Sequence, residues 1–189
     1  DYTASIQKLK DCETVVFVGG IAPQLEGEEM PINIPGFKGG DRTDIELPKV
    51  QRGFLQALKI AGKKVIFVNC SGSAIALAPE TESCDAILQA WYPGQEGGEA
   101  VARVLFGEYN PSGKLPITFY RDTKQLPDFK DYSMKGRTYR YMNDALFPFG
   151  YGLSYTLHNI GAAKLPNETL KKGEQITLTL PVCNVGKKD

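Results

Sequence analysis

Residues 48–70, "PKVQRGFLQALKIAGKKVIFVNC", decide the fold class. From Pro48 onward, apolar residues recur at helical spacing until Gly62: Val50, Phe54, Leu55, Leu58 and Ala61. This pattern predicts an amphipathic helix. The run "KKVIFVNC" that follows is apolar and predicts a strand.

The same alternation continues on both sides of this stretch. "TVVFVGG" (14–20) predicts an earlier strand, and its β-branched and aromatic residues are typical of a strand buried on both faces of a parallel sheet. "SAIALAPETESC" (73–84) predicts a further helix, "DAILQAWYPG" (85–94) a strand and "EGGEAVARVLFG" (96–107) a helix. Their connections are too long for hairpins, so the pattern predicts an α/β fold with an open, mostly parallel sheet covered by helices.

The helical signals fade after residue 120. "GKLPITFY" (113–120) predicts one more strand, at an edge because Pro116 cannot donate to a ladder. "EQITLTLPVCNVG" (174–186) alternates apolar and polar residues, which is typical of a half-buried strand. We therefore expect an α/β domain at 1–156 and the beginning of a truncated all-β domain at 157–189.

Composition excludes several classes of partner. The 189 residues are 42% hydrophobic, enough for a sizeable core, and Lys+Arg and Asp+Glu both total 22. With zero formal net charge, no electrostatic surplus favours nucleic acid or an anionic membrane. The apolar runs fall short of the roughly 20 residues that span a bilayer. We predict neither a nucleic-acid nor a membrane partner, and expect the chain to be a piece of a longer polypeptide, since "DYTASIQKLK" has no initiating Met.

Metal and cofactor sites are not predicted. The chain has four widely spaced cysteines, with no C-x-x-C pair, and a single histidine, which argues against a zinc site. These residues are Cys12, Cys70, Cys84, Cys183 and His158. The cysteines suggest small buried apolar residues or at most one disulfide, and the histidine a surface or boundary residue. "VGGIAPQ" gives no G-x-G-x-x-G, "GEYNPSGKL" has the wrong spacing for a P-loop, and "NCSGS" lacks the first glycine of G-x-S-x-G.

A binding site is expected where the loops after the strands converge, which gives three candidates: 20–48, 69–73 and 91–98. The first far exceeds the usual two to six residues, and loops beyond about 12 to 15 residues are usually functional or disordered. It contains the acidic stretch "QLEGEEMPINIPGFKGGDRTDIELP" (24–48). Two hypotheses stay open: a solvated loop, or a loop in which one carboxyl group is a working acid.

Long motifs in this chain carry a family resemblance. "AWYPGQEGGEAVARVLFGEYNPSGKLPITFY" and "RTYRYMNDALFPFGYGLSYT", with "GGDRTDIELP" upstream, closely resemble the C-terminal α/β domain of glycoside hydrolase family 3, the β-glucosidases and β-xylosidases. The resemblance covers nearly all of 14–156, and the tail resembles the start of a fibronectin type III-like domain.

The resemblance implies a retaining β-glycosidase whose active site is shared between domains. An N-terminal (β/α)8 barrel of the same polypeptide would supply the nucleophilic Asp, and this domain the acid/base Glu. No Ser-Asp dipeptide, the barrel motif, occurs here, so we expect the isolated chain to be inactive. The implied substrate is a β-linked oligosaccharide or glycoside, and the implied location is periplasmic or secreted. The alternative is a non-catalytic carbohydrate-binding or structural domain of the same fold.

The resemblance also implies residue roles. The position of the acid/base matches Glu26 best, with Glu28 and Glu29 as rivals because "MPINIPGFK" is inserted before the Gly-Asp-Arg motif. Asp41 and Arg42 would orient the loop or face sugar hydroxyls. The alternative for that pair is a salt bridge with Asp44 at a helix N-terminus. For Trp91 and Tyr92 we predict core packing rather than stacking on a sugar, and for the glycines after them tight turns.

Overall fold

The computed structural model describes residues 1–26, 30–166 and 169–188, except for the side chain of Glu26. The chain forms two compact units. One comprises Asp1–Val101 and Lys114–Tyr151, and the other Ala102–Gly113 and the described part of Gly152–Asp189.

Helices and short strands alternate along the chain. The α-helices are α1 (Thr3–Lys8), α2 (Pro23–Glu26), α3 (Lys49–Ile60), α4 (Ala78–Ser83), α5 (Gly97–Leu105) and α6 (Thr138–Tyr141), with a 3₁₀ turn at Thr123–Gln125. The strands are β1 (Thr14–Gly20), β2 (Asn33–Ile34), β3 (Phe37–Lys38), β4 (Asp41–Arg42), β5 (Lys64–Cys70), β6 (Ala86–Gln89), β7 (His158–Ile160) and β8 (Val182–Asn184).

The first unit is built on a parallel sheet in the order β1-β5-β6. β1 pairs with β5 along its whole length, from Thr14 opposite Lys64 to Gly20 opposite Cys70. Both strands lie where their apolar runs predict them. Burial of β1 on both faces is wrong, because Val16 and Val18 are 48% and 63% exposed on one face. The parallel sheet with flanking helices confirms the predicted fold class, and small antiparallel sheets are additional to it.

Helix α3 covers one face of this sheet. Leu55 and Leu58 are fully buried, and the ring of Phe54 lies 5.8 Å from that of Phe17 on β1. Each buried leucine contributes about 1.5–3 kcal/mol of hydrophobic stabilisation. The predicted helix is confirmed, and Gly62, with φ +73°, follows its end in the left-handed conformation that glycine tolerates.

The predicted helix at 73–84 is shorter than expected. Only Ala78–Ser83 is helical, and Ile75, Ala76 and Leu77 before it are non-helical and buried in the core. The Ala76 N–H donates to the Ile45 carbonyl at 2.8 Å. This segment uses its apolar residues for core packing before the helix begins.

The predicted strand at 113–120 is wrong. Leu115 exchanges backbone hydrogen bonds with residues 150 and 151, and Phe119 with residues 146 and 147, but no continuous ladder joins the two contacts. Only an isolated bridge, Phe119 opposite Phe147, is formed. Pro116, which has no N–H, lies between the two contacts.

Polar hydrogen bonds hold the second unit together. The side-chain Oδ1 of Asn110 accepts from Tyr155 N–H at 2.8 Å, and the Thr156 hydroxyl donates to Asn184 Oδ1 at 2.6 Å. β7 pairs antiparallel with β8. The predicted strand at 174–186 forms only over Val182–Asn184, and its apolar residues are exposed rather than half-buried.

The four cysteines and the single histidine differ in how far they are buried. All four cysteines are free thiols, but only Cys84 is buried, since Cys12 and Cys183 are exposed and Cys70 is half-buried. The burial prediction is therefore wrong for two of them. His158 lies exposed in β7, as expected for a surface residue. Among the described residues, no helix has the length and apolar character needed to cross a bilayer.

Candidate functional site

Residues 21–48, called here the acidic loop, connect the carboxyl end of β1 to α3. In its described residues, α2 forms the first part of the loop, and β2, β3 and β4 form a small antiparallel sheet in the second part. Phe37 in β3 is 4% exposed and belongs to the core of the first unit. The insertion "MPINIPGFK" thus lies mostly within this small sheet, which the core holds in place.

The chain turns sharply where it leaves β1. Gly20 has φ +125°, and a Cβ added there would lie 2.0 Å from the Cys70 carbonyl oxygen, so only glycine fits. The next N–H, that of Ile21, donates to the same carbonyl at 2.9 Å. Gly20 and Ile21, called here the loop root, are therefore held closely against β5.

Two side chains complete the bonding of the loop root. Gln51 on α3 accepts from the Gly20 N–H through Oε1 and donates to the Gly20 carbonyl through Nε2, both at 2.8 Å. The Tyr92 hydroxyl donates to the Ile21 carbonyl at 2.9 Å. Tyr92 is 43% exposed, so the prediction of core packing is wrong for it, and it bonds to the loop instead.

The candidate acids lie shortly after the loop root. Glu26 is the last residue of α2, whose turn includes a hydrogen bond from Leu25 N–H to the Ala22 carbonyl at 2.8 Å. Its side chain, and the whole of Glu28 and Glu29, lie outside the described residues. The choice among the three stays a prediction.

Asp41 and Arg42 form β4, at the far side of the loop's small sheet. An Arg42 Nη1–H donates to the Ser73 hydroxyl at 3.1 Å, which links the loop to the segment after β5. The alternative of a helix N-terminal salt bridge with Asp44 is wrong in its location, because α3 begins only at Lys49 with no acid in its first turn. The Asp44 carboxylate instead accepts from Glu46 N–H at 3.0 Å.

The end of the acidic loop is held by charged groups, which we call the Arg52 cluster: Arg52, Glu46 and Glu80. Arg52 donates to both oxygens of Glu80, at 2.7 and 3.1 Å, and to Glu46 at 2.9 Å. Glu80 is fully buried, and the other two side chains are 19% and 25% exposed. Burial lowers the pKa of Arg52, but the hydrogen bonds and charges of Glu80 and Glu46 outweigh it and hold that pKa above its ordinary value.

The Arg52 cluster also reaches a distant part of the first unit. The second oxygen of Glu46 accepts from Thr123 N–H at 3.0 Å and from the Thr123 hydroxyl at 3.1 Å. That hydroxyl in turn accepts from Ile45 N–H. The end of the loop is therefore fastened to α3, α4 and the 3₁₀ turn.

Neutral polar side chains line the carboxyl ends of β5 and β6. Asn69, fully buried, donates to Gln89 at 2.6 Å, and both Asn69 and Gln89 donate to the Ser71 hydroxyl at 3.2 Å. Burial raises the pKa of the neighbouring Cys70 thiol. A thiolate nucleophile is therefore disfavoured here.

The segment after β6 packs as the sequence suggests in two places. Trp91 is half-buried and meets Phe119 edge-on with ring centres 6.2 Å apart. A Cβ at Gly97 would lie 2.4 Å from the Pro93 side chain, so this glycine permits a close approach. The core-packing prediction is confirmed for Trp91, and the tight-turn prediction for Gly97.

Sequence reasoning missed the residues that hold the loop. Gln51 and Arg52 lie on the predicted helix, and only the placement of α3 beside Gly20 and Glu46 gives them partners. The one available signal was that "VQRG" places two adjacent long polar side chains in the first turns of an amphipathic helix. That signal alone identifies no contact.

Comparison with known proteins gives consistent matches over nearly the whole chain. The family model "Glycosyl hydrolase family 3 C-terminal domain" matches residues 2–155. A xylan 1,4-β-xylosidase from Xylanibacter ruminicola is 69% identical over 189 residues, which are 100% of this chain and 22% of that protein. A periplasmic β-glucosidase from Salmonella typhimurium is 37% identical over 98% of this chain and 25% of its own length.

Structural comparison agrees. A β-glucosidase from Erythrobacter marinus superposes with a TM-score of 0.77 at 33% identity, over 97% of this chain and 24% of that one. The chain thus spans about a quarter or less of the length of the relatives it matches.

Proposed function

The chain belongs to the glycosyl hydrolase family 3 C-terminal domains, and on that premise we propose that it contributes the general acid/base of a retaining β-glycosidase. The proposed acid/base is Glu26, with Glu28 as the rival. The nucleophile would come from an N-terminal (β/α)8 barrel of the same polypeptide. The observation that carries the proposal is the placement of Glu26 on a short helical turn directly after a firmly bonded loop root at the carboxyl end of β1.

Retaining hydrolysis explains why the loop would be held so firmly. It requires two carboxyl groups about 5 to 5.5 Å apart, one ionised to attack the anomeric carbon and one protonated to release the leaving group. When the two carboxyls belong to different domains, the loop must present its acid at a fixed distance from the barrel. Contacts at both ends of the acidic loop support such a role.

The acid/base needs a pKa suited to both steps of the reaction. In the first step it donates a proton to the leaving oxygen, and in the second it takes a proton from water. Partial burial beside the sugar and the nearby nucleophile would favour the protonated form before the first step. Arg42, bonded to Ser73, would support the loop beside the sugar hydroxyls, together with Asp41.

The substrate class follows from the relatives. The 69% identical relative is a xylan 1,4-β-xylosidase, so β-xylosides are the first substrates to test and β-glucosides the second. We propose a periplasmic or secreted location, which the periplasmic β-glucosidase of Salmonella typhimurium supports.

The test is Glu26→Gln in the complete polypeptide, assayed on two β-xylosides. On a substrate with a poor leaving group, such as methyl β-xyloside, the rate should fall by roughly 10² to 10⁴, the usual scale of general acid catalysis. On a dinitrophenyl β-xyloside, whose leaving group needs no proton, the first step should survive. Added azide should then speed turnover, because it attacks the glycosyl-enzyme without help from a base.

Glu28→Gln and Glu29→Gln are the matched controls, and both should lose far less. If Glu28→Gln gives the azide-rescued pattern and Glu26→Gln does not, the acid/base is Glu28 and the mechanism stands. If none of the three variants shows the pattern, the loop is solvated or structural, as in a non-catalytic carbohydrate-binding domain. The isolated 189-residue chain should hydrolyse neither substrate, and turnover by it would contradict a shared active site.

A further inference from the structure

The side chain of Gln51 bonds to β1 as a neighbouring strand would. Its amide accepts from the Gly20 N–H and donates to the Gly20 carbonyl, both at 2.8 Å. Among the described residues β1 stands at one end of the sheet order, with β5 as its partner. Gln51 therefore satisfies two buried backbone groups of Gly20 that β5 does not bond.

The position of this contact determines the direction in which the loop leaves the sheet. Gly20 is in a positive-φ conformation that a side chain would disrupt, and Ile21, fully buried, bonds to Cys70 and Tyr92. Gln51 thus holds the one residue of the loop root whose backbone has the greatest rotational freedom.

Few rotatable residues separate Gly20 from Glu26. Ile21 is fixed by its neighbours, Ala22 accepts the hydrogen bond that closes the helical turn, and Pro23–Glu26 is helical. A rotation at Gly20 would therefore carry the whole turn with it. A misplacement of about 1 Å by a residue remote from the chemistry can cost about 10²-fold in rate.

We propose that Gln51 is a positioning residue, which sets the placement of the acid/base on the acidic loop by holding both backbone groups of Gly20. This inference rests on the proposed function and deepens it. Gln51 itself contacts Gly20 and not the reacting atoms, so its effect should appear only in steps that use the acid/base.

The experiment compares Gln51→Ala with wild type in the complete polypeptide, on methyl β-xyloside and on dinitrophenyl β-xyloside. A misplaced acid should slow the first substrate at least 10-fold and the glycosylation of the enzyme by the second less than 2-fold, which a burst of dinitrophenolate measures. The ratio of the two rates, taken on one preparation, does not depend on the folded fraction. A purely structural role would lower both rates by the same factor.

Two further variants keep the result decisive. Gln51→Glu is close in size and keeps an acceptor for the Gly20 N–H but loses the donor to the carbonyl, so it should shift the ratio even if Gln51→Ala folds poorly. Gln56→Ala, on the exposed part of the same helix, should leave the ratio unchanged. An unchanged ratio in both Gln51 variants overturns the proposal.

Glu26→Gln, measured in parallel, separates this proposal from the proposed function. If Glu26→Gln shows selective loss on methyl β-xyloside and the Gln51 variants do not, only the positioning role fails. If the Gln51 variants shift the ratio and Glu26→Gln does not, the loop carries the acid at another residue and the positioning role stands. If neither shifts the ratio, both fail.

Discussion

Gln51 and Arg52 are adjacent on α3 and hold opposite ends of the acidic loop by different chemistry. Gln51 fastens the loop root with two neutral hydrogen bonds, and Arg52 fastens Glu46 near the end of the loop with ion pairs. The neutral contact has no charge to desolvate. The charged contact includes a fully buried Glu80, whose carboxylate depends on its partner for solvation.

The comparison shows how one helix can fix a long loop without lying inside it. The end near Lys49 is tied to the core through Glu46, Glu80 and Thr123, and this part serves stability. On the α3 side, Gln51 holds the root in the described part of the chain, and we propose that this contact serves placement of the turn that follows. If stability and placement separate in this way, substitutions at the two ends of the loop should have different effects.

The largest effect is expected for Arg52→Ala. The substitution leaves the Glu80 carboxylate buried without its two donors, which should lower the free energy of unfolding by roughly 3–5 kcal/mol. Denaturant unfolding of the chain measures it. Lys59→Ala is the control, because Lys59 pairs with Asp85 at the surface, where both side chains are over 40% exposed, and the loss should stay below about 1 kcal/mol. If Arg52→Ala and Lys59→Ala lowered the free energy of unfolding equally, the buried ion pair would contribute no more to stability than the exposed one.

The double variant Arg52→Met with Glu80→Leu sharpens that result. Apolar residues of similar volume need no solvation, so the double variant should recover most of the stability that Arg52→Ala loses. No recovery would mean that the hydrogen bond from Arg52 to the Ala76 carbonyl, or its pair with Glu46, carries the stability instead.

A smaller effect is expected for Gln51→Ala. Two hydrogen bonds are lost and the backbone groups of the buried Gly20 lose their partner, which should lower the free energy of unfolding by roughly 1–3 kcal/mol. An amide does not titrate, so this loss should be the same at pH 7 and pH 4. The exposed Gln56→Ala should change the unfolding free energy by less than about 0.5 kcal/mol. A Gln51→Ala loss as large as that of Arg52→Ala would contradict the division between the two ends.

The smallest effect, and a pH-dependent one, is expected for Asp85→Asn near the amino end of β5. The hydrogen bond from Val65 N–H lowers the pKa of Asp85, burial opposes this, and Lys59 lowers the pKa further, so that it lies below its ordinary value. A carboxyl with a lowered folded pKa stabilises the fold above its unfolded pKa of about 3.9, and that contribution is lost as the pH falls through the folded value.

The difference in unfolding free energy between wild type and Asp85→Asn should therefore shrink as the pH falls below about 4, while the Gln51→Ala difference stays constant. Unfolding curves from pH 6 to about pH 3 measure both. A wild-type advantage over Asp85→Asn that grows on acidification would contradict the sign.

The predictable parts of the fold are the helices and strands in which apolar residues form a continuous run or recur at a regular spacing. The apolar run at 14–20, the periodic helix at 49–60 and the run at 64–70 each specify an element through local pattern alone. Residues 113–120 have a similar composition but form no strand, because backbone hydrogen bonds join them to residues 146–151 only at Leu115 and Phe119, on either side of Pro116. Composition does not reveal that the ladder is interrupted there.

The candidate site was predictable in outline only. The length of the segment after the first strand and its carboxylates indicated where to look, and the motifs indicated Glu26, Asp41 and Arg42. The sequence predicts core packing for Tyr92, yet its hydroxyl reaches the Ile21 carbonyl 71 positions away in sequence. A contact over such a separation depends on how β1 and the segment after β6 are brought together.

The sequence by itself determined the alternating strands and helices, because burial of apolar residues at period 2 or 3.6 is a local property. The need for glycine at position 20 comes from the tertiary structure, because only glycine accepts the close approach of the Cys70 carbonyl on the neighbouring strand. The tertiary structure alone decided which polar side chains hold the acidic loop. Gln51 and Arg52 find their partners only when α3 packs beside the ends of that loop, and no sequence pattern encodes the distance between an amide and a strand that lies 31 residues away.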